Sequence, residues 1–231
     1  MQRRYACTLI GTCLLAIAGQ TASAGARATR GRPAQRTCPA QPKGVVVANS
    51  QAEVYIARPP FSSPHARGYF GCAFKSRRSR FIGDIRLAGE GVVDTRNPQL
   101  VGTVVAVESF VAARQASVSH TIVVTNLARP RGGVRTLATG TLTATQQKAN
   151  PGLFGVGPTT GLVAKNDSAV AWIVNDNAPP DPPTYEVVKA DASGSPTVLA
   201  TGADIAPDSL ALSGSTLYWS QGNTPHSGTL N

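Results

Sequence analysis

The chain has 231 residues and is basic, with 22 Lys and Arg against 12 Asp and Glu and a formal net charge of +10. It is 42% hydrophobic, so one large domain of this length can bury a substantial core. Beyond the first residues, no segment is long and apolar enough to span a bilayer as a helix, which excludes a polytopic membrane protein of that kind.

Residues 1–24 read as a secretory signal peptide. Arg3 and Arg4 form a positive n-region, residues 9–18 (LIGTCLLAIA) a short apolar core, and Ala22, Ser23 and Ala24 the small residues of a cleavage site. The apolar core is too short for an anchor. Tyr5, Ala6 and Cys7 fit a twin-arginine motif poorly, so general secretion is the expected route. Cys7 and Cys13 leave with the signal, and Cys38 and Cys72 remain. In an oxidising compartment two thiols most simply form one disulfide.

Residues 25–44 (GARATRGRPAQRTCPAQPKG) form a basic leader with almost nothing to bury, its far end held by Cys38. The charge is uneven along the chain. Residues 25–159 carry 18 Lys and Arg against 5 Asp and Glu, and residues 160–231 carry 2 against 7. Such a gradient steers anionic polymers toward the front. Arginine-rich composition alongside abundant Ala, Gly and Pro also follows from GC-rich coding, so charge alone does not establish that use.

From Val45 onward, short runs of Val, Ile, Leu, Thr and Tyr alternate with Gly, Pro, Asn, Asp and Ser clusters, which predicts strands and turns. The nearest approach to a helical stripe, residues 110–119 (FVAARQASVS), lies among stronger strand runs. An internal repeat is legible. Residues 162–172 (LVAKNDSAVAW) and 210–219 (LALSGSTLYW) are each an apolar strand, a polar turn and a second strand ending in Trp. Residues 45–56 (VVVANSQAEVYI) are a looser copy with Tyr55 in the aromatic position, and residues 100–107 (LVGTVVAV) a copy without one. A further strand follows three of them at residues 69–74, 122–125 and 185–189, and the strand after the later two ends in Leu-Ala-Thr-Gly at residues 137–140 and 199–202. Four strands per unit of about 50 residues is the pattern of a propeller blade.

On these motifs residues 45–230 resemble secreted bacterial β-propeller-like repeat proteins, in which a hairpin ending in an aromatic (Ala171-Trp172, Tyr218-Trp219) precedes a second hairpin ending in Gly (residues 187–202). The resemblance implies an all-β array of roughly four antiparallel blade units over residues 45–231. The chain departs from the pattern in a fourth unit with too few strands, so an open or incomplete array is the expectation and a β-sandwich the alternative. In such an array Tyr55, Trp172 and Trp219 serve as blade-packing aromatics.

Residues that usually carry chemistry are sparse. His65, His120 and His226 are isolated, with His65 and His226 in Pro- and Ser-containing loops and His120 at a strand start. No Gly-x-Ser-x-Gly elbow or phosphate loop occurs, and the glycine-rich residues 152–161 are followed by no helix. Asn175, Asp176, Asn177 and Asp181 offer oxygen ligands, but the prolines around Asp181 are stiff and no bidentate Glu follows, so a polar loop is expected. Asp204 and Asp208 fit turn chemistry. No catalytic, cofactor or metal residue is therefore assigned, and no cofactor is expected. The expected function is that of a non-enzymatic binding or scaffold module, secreted or in the cell envelope, with an extracellular protein or glycan as partner and nucleic acid not expected. The alternatives are a secreted carbohydrate-active enzyme on a small propeller, and an anionic-polymer binder acting through the basic leader.

Overall fold

The structure is a computed structural model. It describes residues 37–39, 42, 44–60, 65–85, 87–88, 91–113, 118–129, 133–139, 158–175 and 183–231, so the expected signal peptide (residues 1–24), most of the expected leader (residues 25–44), the glycine-rich residues 152–157 and residues 176–181 lie outside them. The described elements are all strands, in four antiparallel sheets formed one after another along the chain.

The first sheet is a meander of β1 (Val45–Ala48), β2 (Ala52–Ala57), β3 (Arg67–Ala73) and β4 (Arg78–Ile85). The second contains β5 (Leu87–Ala88), β6 (Gly91–Val101), β7 (Val104–Ala113), β8 (Val118–Asn126) and β9 (Val134–Ala138). The third contains β10 (Thr159–Ala164), β11 (Val170–Asn175), β12 (Tyr185–Ala190) and β13 (Thr197–Gly202). The fourth has three strands, β14 (Ala211–Ser213), β15 (Thr216–Gln221) and β16 (Thr224–Thr229). Among the described residues no sheet closes on itself, so the antiparallel units are consistent with an open propeller-like array or a sandwich. The turns at Asn49-Ser50, Gly102-Thr103, Asn166-Asp167 and Gly214-Ser215 each join the first long hairpin of a sheet. Gly102 and Gly214 hold φ of 59° and 60° in those turns, which glycine adopts without steric cost.

The sheets stack face to face in chain order, and strand alternation explains how. Side chains on a strand point alternately to opposite faces. On β7, Val104 and Ala106 join a core with Leu162, Val170, Trp172 and Val188 of the third sheet. Their neighbours Val105 and Val107 point the other way, into a core with Ala52, Val54 and Ala73 of the first. Strand β11 repeats the division: Val170, Trp172 and Val174 face the second sheet, while Ala171 and Ile173 meet Leu217 and Trp219 of the fourth. Strands covered on both faces need continuous apolar runs, which is why residues 104–107 and 170–174 carry no polar alternation. Gly71 on β3 permits close approach, because a Cβ there would lie 2.5 Å from Leu127 Cδ2.

The three aromatics occupy equivalent faces. Trp172 packs back onto the second sheet and Trp219 back onto the third, with 0% and 6% of their surface exposed. Tyr55 also lies on the face opposite the first sheet's junction with the second. There it stacks on Phe70 at 5.9 Å between ring centroids and shares a hydrogen bond with Ser79 Oγ at 2.6 Å. No other described sheet packs on this face. Its cover is Cys38, bonded to Cys72 with a Cα–Cα separation of 5.7 Å. Thr37 pairs with Arg78 on β4, so the end of the leader contributes one bridge residue to the outer edge of the sheet.

One local expectation needs correction. His226 lies within β16 rather than in a loop, stacked on Trp219 at 5.8 Å. The preceding Pro225 misled the loop reading; β16 is an edge strand, where a missing N–H is tolerated.

Candidate functional site

Polar side chains at the sheet junctions are largely occupied in holding them together. Asn49 Nδ2 donates to Gly102 O (3.0 Å) between the first and second sheets. Arg135 Nη1 donates to Ser168 O (2.9 Å) and Ala192 O (2.8 Å), and its Nη2 to Gly194 O (2.6 Å), joining the second to the third. Lys165 Nζ reaches Ser215 Oγ (3.0 Å) and Leu230 O (2.9 Å), and Lys189 Nζ reaches Thr229 O (2.8 Å), joining the third to the fourth.

The titratable cluster best placed for chemistry is built around Glu108 on β7. It is 2% exposed. Its Oε1 accepts the Thr159 N–H (3.1 Å), and its Oε2 accepts the Thr159 hydroxyl (2.9 Å) and the Asn97 amide (3.5 Å). His120 Nδ1 stands 3.8 Å from Oε1, within ion-pair range but beyond hydrogen-bond length, and Nδ1 is buried without a hydrogen-bond partner in the described structure. The His120 ring lies 4.7 Å from that of Phe110. Burial by itself pushes the Glu108 carboxyl up. The neighbouring His120 ring and the two Thr159 donors outweigh it, and the carboxyl sits below its ordinary range. Both oxygens accept hydrogen bonds from Thr159 at the start of β10, so the carboxylate ties the second sheet to the third.

The sign of the pH effect follows. Glu108 has a folded pKa below its unfolded value, so its contribution is fully present above the unfolded carboxylate value and is lost as pH falls through the folded one. Glu108→Ala is expected to lose about 2–3 kcal/mol at neutral pH, the range for hydrogen bonds to a charged, buried acceptor. Urea unfolding of both proteins across the acid range checks this. The gap between wild type and variant should narrow toward low pH; a gap independent of pH would show that the charge of Glu108 contributes nothing.

A second site lies where the turns of the first and second sheets meet. Ser50, Gln51, Ala73, Phe74, Lys75, Ser76, Thr103 and Ala128 line a hollow of about 600 Å³. A second hollow of about 290 Å³ shares Ser76 and Ala128 and extends along β4 to Arg78 and Arg80. The rim is held by a specific set of bonds. Asn49 Oδ1 accepts the N–H of Gln51 (2.8 Å) and of Ala52 (3.0 Å). Gln51 O accepts the Phe74 N–H (2.9 Å), and Thr103 O accepts the Leu127 N–H (2.8 Å). Asn126 Oδ1 accepts the Thr103 hydroxyl (3.3 Å) and the Ala128 N–H (3.0 Å). Two asparagines, one in each sheet, thus lock turns by side-chain mimicry of the backbone. Phe74 projects from this rim, 43% exposed.

Of the aromatics read as packing residues, Tyr55, Trp172 and Trp219 all lie away from this groove, in buried clusters. His65 and His226 are exposed and remote from Glu108 in the strand order. Among the described residues no group of three His, Cys, Asp or Glu side chains is placed to hold a metal ion, and no helix is long and apolar enough to cross a membrane. The reading of residues missed both the groove and the Glu108 tie. The available signals were four cations within residues 75–80 and one carboxylate inside an apolar run, VVAVESF. No protein-family model matches the chain, and no curated protein matches it either.

Proposed function

We propose that the protein is a secreted, non-enzymatic binding or scaffold module of the extracytoplasmic space, of the kind found among bacterial propeller-like proteins. The observation that carries this reading is the groove between the first two sheets. It is concave, its turns are held in place by Asn49 and Asn126, and it exposes an aromatic ring beside polar and basic side chains. Preformed hollows with a few convergent polar groups are where ligands bind. Two further observations support it. The Cys38–Cys72 bridge suits an oxidising compartment, and the buried Glu108 carboxylate is bonded to Thr159 across two sheets.

The test is incubation of the full chain with a panel of insoluble cell-wall polysaccharides, measuring retained protein and soluble reducing ends together. Retention without release of reducing ends is the expected result. Release that scales with protein concentration would instead place the protein among carbohydrate-active enzymes.

A further inference from the structure

We infer that the groove between the first two sheets binds an acidic oligosaccharide, with Arg78 and Arg80 taking sugar carboxylates and Phe74 taking the apolar face of a sugar ring. The inference rests on the binding-module reading and adds a ligand class and named contacts to it.

The placement of charge is the first argument. Arg78 and Arg80 are two residues apart on β4 and therefore share a face of the strand, together with Ile82, which packs toward the second sheet. Both line the smaller hollow beside the Leu127-Ala128 turn, and Lys75 lines the larger one. None of the described residues lining either hollow is acidic, and none of the ion pairs found in the described structure involves Arg78, Arg80 or Lys75. Among the described residues Arg80 donates one long hydrogen bond, from Nη1 to Asn126 O at 3.5 Å. At the other sheet junctions Arg135, Lys165 and Lys189 donate to carbonyl oxygens, and Lys165 and Lys189 also pair with Asp167 and Asp191. Burial and the adjacent Arg78 both lower the affinity of Arg80 for its proton, which is the electrostatic condition an anion relieves. Arginine forks match carboxylate geometry bidentately.

The second argument is the surface around the charges. Ser50, Gln51, Ser76 and Thr103 bring hydroxyl and amide groups to the same hollow, which suits a ligand rich in hydroxyls. The exposed Phe74 ring lines the same hollow at the start of the β3–β4 turn, four residues before Arg78. Sugar rings have one apolar face and polar edges, so a single ring platform with polar surroundings accommodates them. Single-stranded nucleic acid instead uses successive aromatic platforms along an extended basic track, and this groove presents one ring. A volume of about 600 Å³ accepts a few sugar units.

The experiment is isothermal titration calorimetry of the full chain with hexagalacturonate, using a neutral glucan hexamer and a single-stranded oligonucleotide as comparison ligands. Three variants accompany it: Arg78→Ala with Arg80→Ala, Phe74→Ala, and a leader control in which Arg27, Arg30 and Arg32 become alanine. All the substituted groove residues are on the surface or half-buried, and circular dichroism confirms folding before titration. The double arginine variant is expected to weaken hexagalacturonate binding by at least about tenfold and Phe74→Ala by roughly fivefold, with the leader control close to wild type.

Absence of hexagalacturonate binding overturns the proposal. So does binding that depends on the leader arginines and not on Arg78 and Arg80. A groove that prefers the neutral hexamer or the oligonucleotide overturns the acidic-sugar assignment while the binding-module reading survives. New reducing ends during the titration would leave the ligand class standing and remove the non-enzymatic reading.

Discussion

Trp172→Ala is expected to cost roughly 3–5 kcal/mol of folding stability, the range for deleting a buried Trp side chain. The indole is 0% exposed and sits in the core that joins the second and third sheets, against Val104, Ile122 and Val188. Its Nε1–H donates to Thr139 O, so alanine leaves a cavity and also deprives a buried carbonyl of its donor. Trp219 supplies the contrast. It is equally part of a sheet-to-sheet core, yet its Nε1 is buried with no hydrogen-bond partner in the described structure. Trp172→Phe should therefore lose a hydrogen bond and volume together, while Trp219→Phe removes an unsatisfied donor and partly offsets its lost volume. Urea midpoints followed by circular dichroism give the comparison. Equal losses for the two Phe variants would show that the Thr139 bond contributes nothing.

Loss of the Cys38–Cys72 bridge, by paired serine substitution, is expected to destabilise by about 4 kcal/mol in the chain-entropy account, given a sequence separation of 34. The structure adds a local consequence. Cys38 N donates to Arg77 O (3.1 Å), and Arg77 holds a φ of 51°, an unusual backbone conformation for a residue with a side chain. Releasing the strap loosens this turn and uncovers Phe70, whose neighbour Phe81 is already 47% exposed. Thermal unfolding with and without reductant, alongside the serine variant, is the measurement. A reduced wild type as stable as the oxidised one would overturn the expectation, as would a serine variant that matches the oxidised protein.

The strand content was readable because two unlike signals agreed. Residues 45–56, 162–172 and 210–219 combine β-branched runs with Asn, Asp, Ser or Gly at the turn, and hairpins form at all three. The groove was not readable, because Gln51, Phe74, Thr103 and Ala128 come from four turns and meet only when two sheets stack. Glu108 failed for the same reason. Its partner Thr159 is 51 residues away, so the apolar run around Glu108 signals burial but not what the carboxylate binds. His226 was misplaced because proline was read as a loop signal, although an edge strand accepts it.

Serial stacking also has a consequence for how the molecule comes apart. Each hydrophobic cluster between sheets joins sequence neighbours, so cohesion passes along the stack as through a row of linked plates. The two inner plates are gripped from both sides and the outer two from one. Amide hydrogens of β7 and β11 should thus exchange last, while those of β16 and β1 exchange first, and disturbance at one end should fade within about one sheet. The groove lies between an outer plate and an inner one. Its ligand would clamp the looser end onto the firmer, so occupancy would be felt as slower exchange in the first sheet well beyond the residues it touches.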